Sequence, residues 1–260
     1  RRYKLYKPSS SRAPQDPPGE TYGAAARHAA PVASACRQPD SVVGTQRIRW
    51  CQRLRTMAAV DDEVDDEVGN EEVDQAVRNL MNPRWNGTEL NFPSCYEIGD
   101  EGAKAVAEAL KVNTSLTTLD LFCNRIGDEG AKAVAEALKV NTSLAGLYLS
   151  DNDTGDEGAK AVAEALKANT AISALYLAGN EIGDEGAKAV AEALKDNTSL
   201  TTLSLQNNDI SADGGGAVAE ALKVNKSLTT LDLYRNNMGD GAMELVRQSW
   251  SNHERENLHI

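Results

Sequence analysis

The chain has 260 residues and a net charge of -12, enough length for one or two domains, and charged residues interrupt its apolar segments too often for a membrane span. Residues 1–56 carry eleven basic and three acidic residues, so residues 57–260 carry -20. An acidic body disfavours nucleic acid, whose phosphates need basic partners, and favours a protein partner with a basic surface.

Residues 1–56 mix Pro, Ser, Ala and Arg without apolar periodicity, which predicts a disordered basic tail. An Arg-rich, Ser-rich and acid-poor composition is also typical of an organellar transit segment. The alternative is that Met57 is the true start and that residues 1–56 are a tail or upstream read-through. Both interpretations stay open at this point.

The four cysteines form no C-x-x-C pair, and two of them lie in residues 1–56. They are Cys36, Cys51, Cys95 and Cys123. A disulfide framework would hardly involve the rest of the chain, so we expect reduced thiols in an intracellular compartment. The expected location is cytoplasmic, or organellar if residues 1–56 are a transit segment.

Residues 57–97 read as an acidic segment followed by an N-terminal cap. Val73, Val77 and Leu80 are spaced at i, i+4 and i+7, which predicts one apolar face of a helix. Leu90 and Phe92 then have the spacing of a short strand, and Cys95 stands where later segments have asparagine. We therefore expect a degenerate first repeat.

A unit of 28 residues begins at Ile98 and returns four times, giving five units over residues 98–237. A shortened unit begins at Met238, and residues 238–260 are predicted to form a C-terminal cap. A constant period of this length indicates a solenoid, in which each unit buries its apolar face against its neighbours.

The first half of each unit has the pattern of a helix with an apolar face and a Glu/Lys face. The aspartates before the helices are predicted to cap their own helix N-termini. Asparagines at the helix ends are predicted to adopt the left-handed conformation. These two sets are Asp100, Asp128, Asp156 and Asp184, and Asn113, Asn141, Asn169, Asn197 and Asn225. Four of these asparagines, and Asn86, also fit the glycosylation pattern N-x-S/T, but their capping position favours a structural role.

The second half of each unit reads L-x-x-L-x-L-x-x-N-x-I, first at Leu116, Leu119, Leu121, Asn124 and Ile126. This spacing resembles the leucine-rich repeat. The helical half, G-D-E-G-A-K-A-V-A-E-A-L, resembles the ribonuclease-inhibitor-like subtype found in NOD-like receptors and Ran GTPase-activating proteins. The resemblance implies an α/β horseshoe with a parallel concave sheet, convex helices and a buried asparagine ladder.

Side chains alternate across a strand, so every second residue should lie on the open concave face. Four of these positions are aromatic in a chain with only 5% aromatics, and aromatic residues are enriched at binding hot spots. The candidate partner-binding residues are Asp120, Phe122, Tyr148, Tyr176, Ser204, Gln206, Asp232 and Tyr234.

Catalysis would need titratable groups gathered in a pocket. The three histidines, His28, His253 and His259, lie outside the five units. The Asp213–Gly216 segment, DGGG, lacks the ending of a phosphate loop and indicates a looser fifth helix. We predict no catalytic, metal-binding or cofactor-binding residue.

The predicted function is a non-catalytic protein-interaction module, of scaffold, receptor or inhibitor type, that binds a protein partner on the concave face. One alternative is a GTPase activator of the Ran type, with a small GTPase as partner, although Arg125 and Arg235 cannot be aligned to that family's arginine. Another alternative is a structural subunit of a larger assembly. Neither nucleic acid nor a membrane is an expected partner.

Overall fold

The computed structural model describes residues 66–82, 84, 86–92, 98–251 and 257–260. Helices and strands alternate along this part of the chain. The helices are α1 (Asp66–Met81), α2 (Gly99–Leu110), α3 (Asp128–Leu138), α4 (Asp156–Ala168), α5 (Asp184–Asp196), α6 (Ala212–Val224) and α7 (Gly239–Ser251). The strands are β1 (Glu89–Asn91), β2 (Thr118–Asp120), β3 (Gly146–Tyr148), β4 (Ala174–Tyr176), β5 (Thr202–Ser204), β6 (Thr230–Asp232) and β7 (Asn257–His259). Three predictions concern residues outside these ranges. They are the disordered or targeting role of residues 1–56, the start at Met57, and the place of Cys95 in the first repeat.

The seven strands form one parallel sheet in chain order. Helices α2 to α7 each connect two neighbouring strands, as parallel pairing requires, and α1 precedes the first strand. The middle residue of every strand is a leucine, and these leucines are in register from Leu90 to Leu258. The sheet therefore forms the concave side of a leucine-rich-repeat-type α/β solenoid, with the helices on the convex side, as the sequence predicts.

The core lies between the sheet and the helices. Leu119 and Leu147 are fully buried, and so are the helix residues Ala103 and Val106 that pack against the strands. Alanine lets a helix approach the sheet closely because it has only a methyl side chain. In α1, Val73 and Leu80 are buried and Val77 packs partly on the core, which confirms the predicted apolar face.

An asparagine ladder joins neighbouring repeats beneath the loops that follow the strands. The Asn152 amide group donates to the carbonyls of Leu121 (2.9 Å) and Leu149 (3.0 Å), and its Oδ1 accepts from the amides of Asn124 (2.9 Å) and Ile126 (3.0 Å). Asn180, Asn208 and Asn236 repeat this bonding. The ladder satisfies buried backbone groups, so its predicted structural role is confirmed.

The asparagines at the helix ends form a second ladder, and their predicted left-handed conformation is wrong. Asn169, Asn197 and Asn225 have extended backbones, with φ of -79°, -73° and -62°. The Asn169 side chain donates to the carbonyls of Leu138 and Asn141 in the preceding repeat, and its Oδ1 accepts from the Ile172 amide. The amide group therefore links two repeats, which a left-handed cap would not do.

The four aspartates do cap helices, but the prediction that each caps its own helix is wrong. Asp156 is the first helical residue of α4, and the residue before it, Gly155, makes no side-chain cap. The amides of Gly183 and Gly186, at the start of α5, donate to Asp156 Oδ1 at 2.9 and 2.7 Å. Each aspartate therefore caps the helix of the following repeat, because the stacking of repeats places its carboxylate beneath that helix.

This close approach also explains why each capped helix has a glycine in its first turn. A Cβ built on Gly186 would lie 2.8 Å from both Asp156 Oδ1 and Ile182 Cγ2. The same crowding occurs at Gly130, Gly158 and Gly214. A side chain at these positions would displace the carboxylate that caps the helix.

Helix α6 is regular despite its three glycines, so the predicted loosening of the fifth helix is not seen. It spans Ala212–Val224, and Gly214 and Gly215 are buried. A Cβ on Gly215 would lie 2.8 Å from Met238 Sδ. Met238 stands where other repeats have isoleucine or threonine, so the glycine makes room for its longer side chain.

In the part of the chain that the structure describes, the convex helix surface carries nine Lys–Glu ion pairs, all at i,i+3 spacing. In α3, for example, Lys132 Nζ lies 2.8 Å from Glu129 Oε1. These exposed pairs contribute little to stability, but they neutralise the charge of the helix face. In the described ranges, no helix is long and apolar enough to cross a membrane.

Candidate binding site on the concave sheet

Two rows of side chains cross the concave sheet face, because the residues on either side of each buried leucine point away from the helices. The strand register fixes the members of each row. Row 1 is Glu89, Thr118, Gly146, Ala174, Thr202, Thr230 and Asn257. Row 2 is Asn91, Asp120, Tyr148, Tyr176, Ser204, Asp232 and His259.

Tyr148 and Tyr176 form a stacked pair in the middle of row 2. Their ring centroids are 4.4 Å apart and their planes differ by 9°. They are direct register partners on β3 and β4, so the stack runs along the row at about the strand spacing of 4.8 Å. Both side chains are partly buried. The pair offers a rigid aromatic surface that needs no ordering when a partner binds.

The surroundings of Tyr148 disfavour negative charge. Burial is the main cause that raises its pKa to about 12, followed by the charge and hydrogen bond of Tyr176 and the carboxylates of Asp120 and Glu89. The phenol is therefore uncharged at neutral pH, and the two carboxylates make this end of the site electronegative. Glu89 is not among the residues predicted from the sequence, because its strand lies in the degenerate first repeat.

The two aspartates of row 2 close the ends of their strands. The amides of Phe122 and Tyr234 each donate to the Oδ1 of the aspartate two residues earlier, Asp120 and Asp232, at 3.0 Å. Burial raises the pKa of Asp232, and the Tyr234 amide and the charge of His259 act in the opposite direction. These side chains shape the turns after the strands as well as facing the concave surface.

Three of the eight predicted residues lie beyond the strands. Phe122, Gln206 and Tyr234 are two residues past the row 2 position, in the loops that follow β2, β5 and β6. Tyr234 is half exposed, and the Arg235 guanidinium lies 5.6 Å from its ring centroid. The expected aromatic row is therefore a pair, and Tyr234 is separate from it because Ser204 and Asp232 occupy the next two places in row 2.

The other predicted residues are in row 2 itself. Asp120, Tyr148, Tyr176 and Asp232 are partly exposed, whereas Ser204 is only 8% exposed and offers little contact surface. His259 also joins this row, which the sequence analysis missed because it placed the histidine after the last repeat. The residue that could have placed His259 in a strand is Leu258, which has the core position of a strand leucine.

The two faces of the array carry different patterns of charge. The seven strands contain three carboxylates, those of Glu89, Asp120 and Asp232, and no lysine or arginine. The lysines of the helices pair with glutamates on the convex side. The concave sheet thus has an acidic and aromatic surface, whereas positive and negative charges are paired on the helix face.

A shallow surface pocket lies elsewhere, around the loops that follow α5 and α6. Its walls include Asn197 and Asn225, whose side chains bond the backbone of the preceding repeat. This depression is a gap between stacked repeats. Within the ranges that the structure describes, no three His, Cys, Asp or Glu side chains are grouped closely enough to hold a metal ion.

Two family models match the chain. Residues 151–248 match the model described as the TMOD/LMOD leucine-rich domain, and residues 112–135 match the model described as leucine-rich repeat. Both models describe leucine-rich repeats, in agreement with the fold. Neither description specifies the ribonuclease-inhibitor-like subtype, which stays a prediction. No curated protein sequence matches the chain.

Similar solved structures include the leiomodin-1 actin-binding site 2, with 24% identity and a TM-score of 0.42, over 70% of this chain and 86% of that chain. The tropomodulin C-terminal domain of Caenorhabditis elegans has 14% identity and a TM-score of 0.46, over 69% and 91%. Pollen receptor kinase 3 has 23% identity and a TM-score of 0.33, over 50% and 55%. Neither family model is described as a GTPase activator, so the Ran-type alternative is not supported.

Proposed function

We propose that this chain is a non-catalytic protein-binding module that holds its partner on the concave sheet face. The observation that carries the proposal is the stacked Tyr148–Tyr176 pair at the centre of row 2. A preformed aromatic surface supplies contact area at small entropic cost, which is the property of a binding hot spot. The acidic character of the same face supports a partner with a basic contact surface.

Actin is the partner that we propose to test first. The choice follows the match of residues 151–248 to the leucine-rich domain model named for TMOD and LMOD, and the printed name of the leiomodin-1 structure, which describes an actin-binding site. The matched residues include β4, β5 and β6, so they cover Tyr176, Ser204 and Asp232 of row 2 but not Tyr148.

The test measures binding of purified actin to the full chain by surface plasmon resonance, with the variant Tyr148→Ala/Tyr176→Ala beside the natural sequence. Loss of both rings should weaken binding by about 30-fold or more, mainly through faster dissociation, because hot-spot contacts hold the formed complex. A circular dichroism melt of the variant checks that the array remains folded.

The matched control is Lys132→Ala/Lys160→Ala, which removes two ion-paired lysines from the convex helices and leaves the sheet intact. This control should bind actin as the natural chain does. A partner that needs the lysines and tolerates loss of the tyrosines would disprove concave binding. If actin does not bind, the choice of actin is wrong.

The concave site can be tested without actin. A partner captured from the source cells and cross-linked to the chain should give cross-links on the strand face and should be lost with the tyrosine variant. Cross-links confined to the helices would overturn the proposal. Recovery in a fixed ratio with a large complex would instead favour the structural-subunit alternative.

A further inference from the structure

The two outer faces of the tyrosine stack are not equivalent. Since the rings stack along row 2, the second face of Tyr148 points toward β2 and the second face of Tyr176 points toward β5. The neighbour on the β2 side is Asp120, and the neighbour on the β5 side is the nearly buried Ser204. One outer face therefore meets a carboxylate and the other meets a small neutral side chain.

The Tyr148 ring lies over Gly146 of row 1. Gly146 is buried, and a Cβ built there would already be in van der Waals contact, 3.6 Å from Tyr148 Cε2 and 3.8 Å from Thr118 Cγ2. Beyond Gly146, row 1 continues with Thr118 and then Glu89, which is exposed on β1. The outer face of the ring is therefore directed toward the two strands that carry Asp120 and Glu89.

This combination selects a planar cation. An arginine guanidinium can lie flat on an aromatic face and still direct its forked N–H groups to a carboxylate in the same plane. The chain already shows the first half of this arrangement, since Arg235 lies over the Tyr234 ring. None of the seven strands contains a lysine or arginine, whereas three of them contain a carboxylate.

We propose that the outer face of Tyr148, with Asp120 and Glu89, is a recognition site for one arginine side chain of the protein partner. The proposal rests on the proposed function, because it names the group that the concave face recognises. It places the site at the β1–β3 end of the sheet. Asp232 has the same sequence context as Asp120 and closes the same turn, but it lies three strands beyond Tyr148 and has no stacked tyrosine beside it.

The test uses a small probe and needs no partner. N-acetyl-arginine methylamide is titrated into the full chain with ring-labelled tyrosines, and the tyrosine resonances are followed by NMR. N-acetyl-citrulline methylamide is the control probe, because citrulline has nearly the same shape without the charge. Saturable shifts of Tyr148 are expected with the arginine probe, and binding of the citrulline probe should be at least about tenfold weaker.

Asp120→Asn/Glu89→Gln is the diagnostic variant, since asparagine can still accept the Phe122 amide and preserve the turn. It should lower the affinity for the arginine probe by about fivefold or more. Asp232→Asn is the matched control and should leave that affinity unchanged. Equal binding of the two probes, an equal effect of Asp232→Asn, or shifts only at Tyr234 would each overturn the proposal.

A lysine probe, N-acetyl-lysine methylamide, separates two kinds of cation recognition. Weaker binding than arginine supports the stacked geometry, and equal or stronger binding contradicts it. The results of the probe titrations can be distinguished from those of the partner-binding test of the proposed function. If the tyrosine variant loses the protein partner but the arginine probe shows no preference, concave binding stands and the arginine site is wrong.

Discussion

The helix face and the sheet face of this array are built under different constraints. On the helices of the first four full repeats the same residues return, with lysine three residues after glutamate and alanine against the sheet. In row 2 of the sheet the successive residues are Asp, Tyr, Tyr, Ser, Asp and His. Packing thus dictates the helix and core positions, whereas row 2 varies because the stacking of repeats leaves it free to vary.

The greatest loss of stability is expected in the core and not on either surface. Leu147→Ala removes a fully buried side chain from the centre of the array, which cannot collapse to fill the space, so it should lower the free energy of unfolding by about 2 to 5 kcal/mol. Urea denaturation measures the change. Lys132→Ala, on the convex surface, is the control and should leave the midpoint unchanged. Equal shifts for the two variants would contradict the assignment of inside and outside.

A smaller effect is expected at the aspartates that join one repeat to the next. Asp156→Ala removes the acceptor of two amides at the start of α5 and should cost about 1 to 2 kcal/mol, the usual range for loss of a helix cap. Thermal and urea melts measure it. Asp213→Ala is the matched control, because Asp213 also lies in a first turn but is exposed. A cost that is as large for Asp213 would show that the helix dipole, and not the inter-repeat bond, is responsible.

The smallest effect is a pH dependence at the last of these aspartates. The Ser211 hydroxyl donates to Asp184 Oδ2 at 2.6 Å and is the main cause that lowers the pKa of Asp184, with support from the Ser211 and Gly214 amides. Since the folded-state pKa lies below the unfolded value, the contribution is fully present above about pH 4 and is lost as pH falls through the folded-state pKa.

This prediction is checked with Ser211→Gly, which restores the residue found at this position in the other repeats. Between pH 5 and pH 3, the melting temperature of the variant should fall less than that of the natural chain. At lower pH the two melting temperatures should converge. Identical acid sensitivity of the two proteins would show that the hydroxyl has no part in the effect.

The fold could be predicted from the sequence because its determinants are local and periodic. The spacing of Leu119 and Leu121 fixes the strand, and the 28-residue period then places Tyr148 beside Tyr176 without knowledge of the coordinates. The same reasoning failed for Asp156 and Asn169. Their side chains bond residues of a neighbouring repeat, and a helix pattern contains no information about how closely the next helix stacks.

The candidate site was only partly predictable for a related reason. Strict alternation extended the strand to Phe122 and Tyr234, but each strand has three residues because the next backbone segment turns around the aspartate side chain. Glu89 and His259 were missed because the outermost repeats depart from the common pattern. The stack of Tyr148 on Tyr176 depends on side-chain rotamers, which periodicity does not determine.

The direction of the aspartate caps has a consequence for biosynthesis. Asp156 precedes the amides that it caps by 27 and 30 residues, and each of the other three aspartates has the same relation to the next helix. During translation, the cap of a helix is therefore already present in the preceding repeat when that helix leaves the ribosome. The array can thus be completed one unit at a time from its N-terminal end. Ala212 interrupts this series, so α7 receives no carboxylate from that position and is joined to the array by packing.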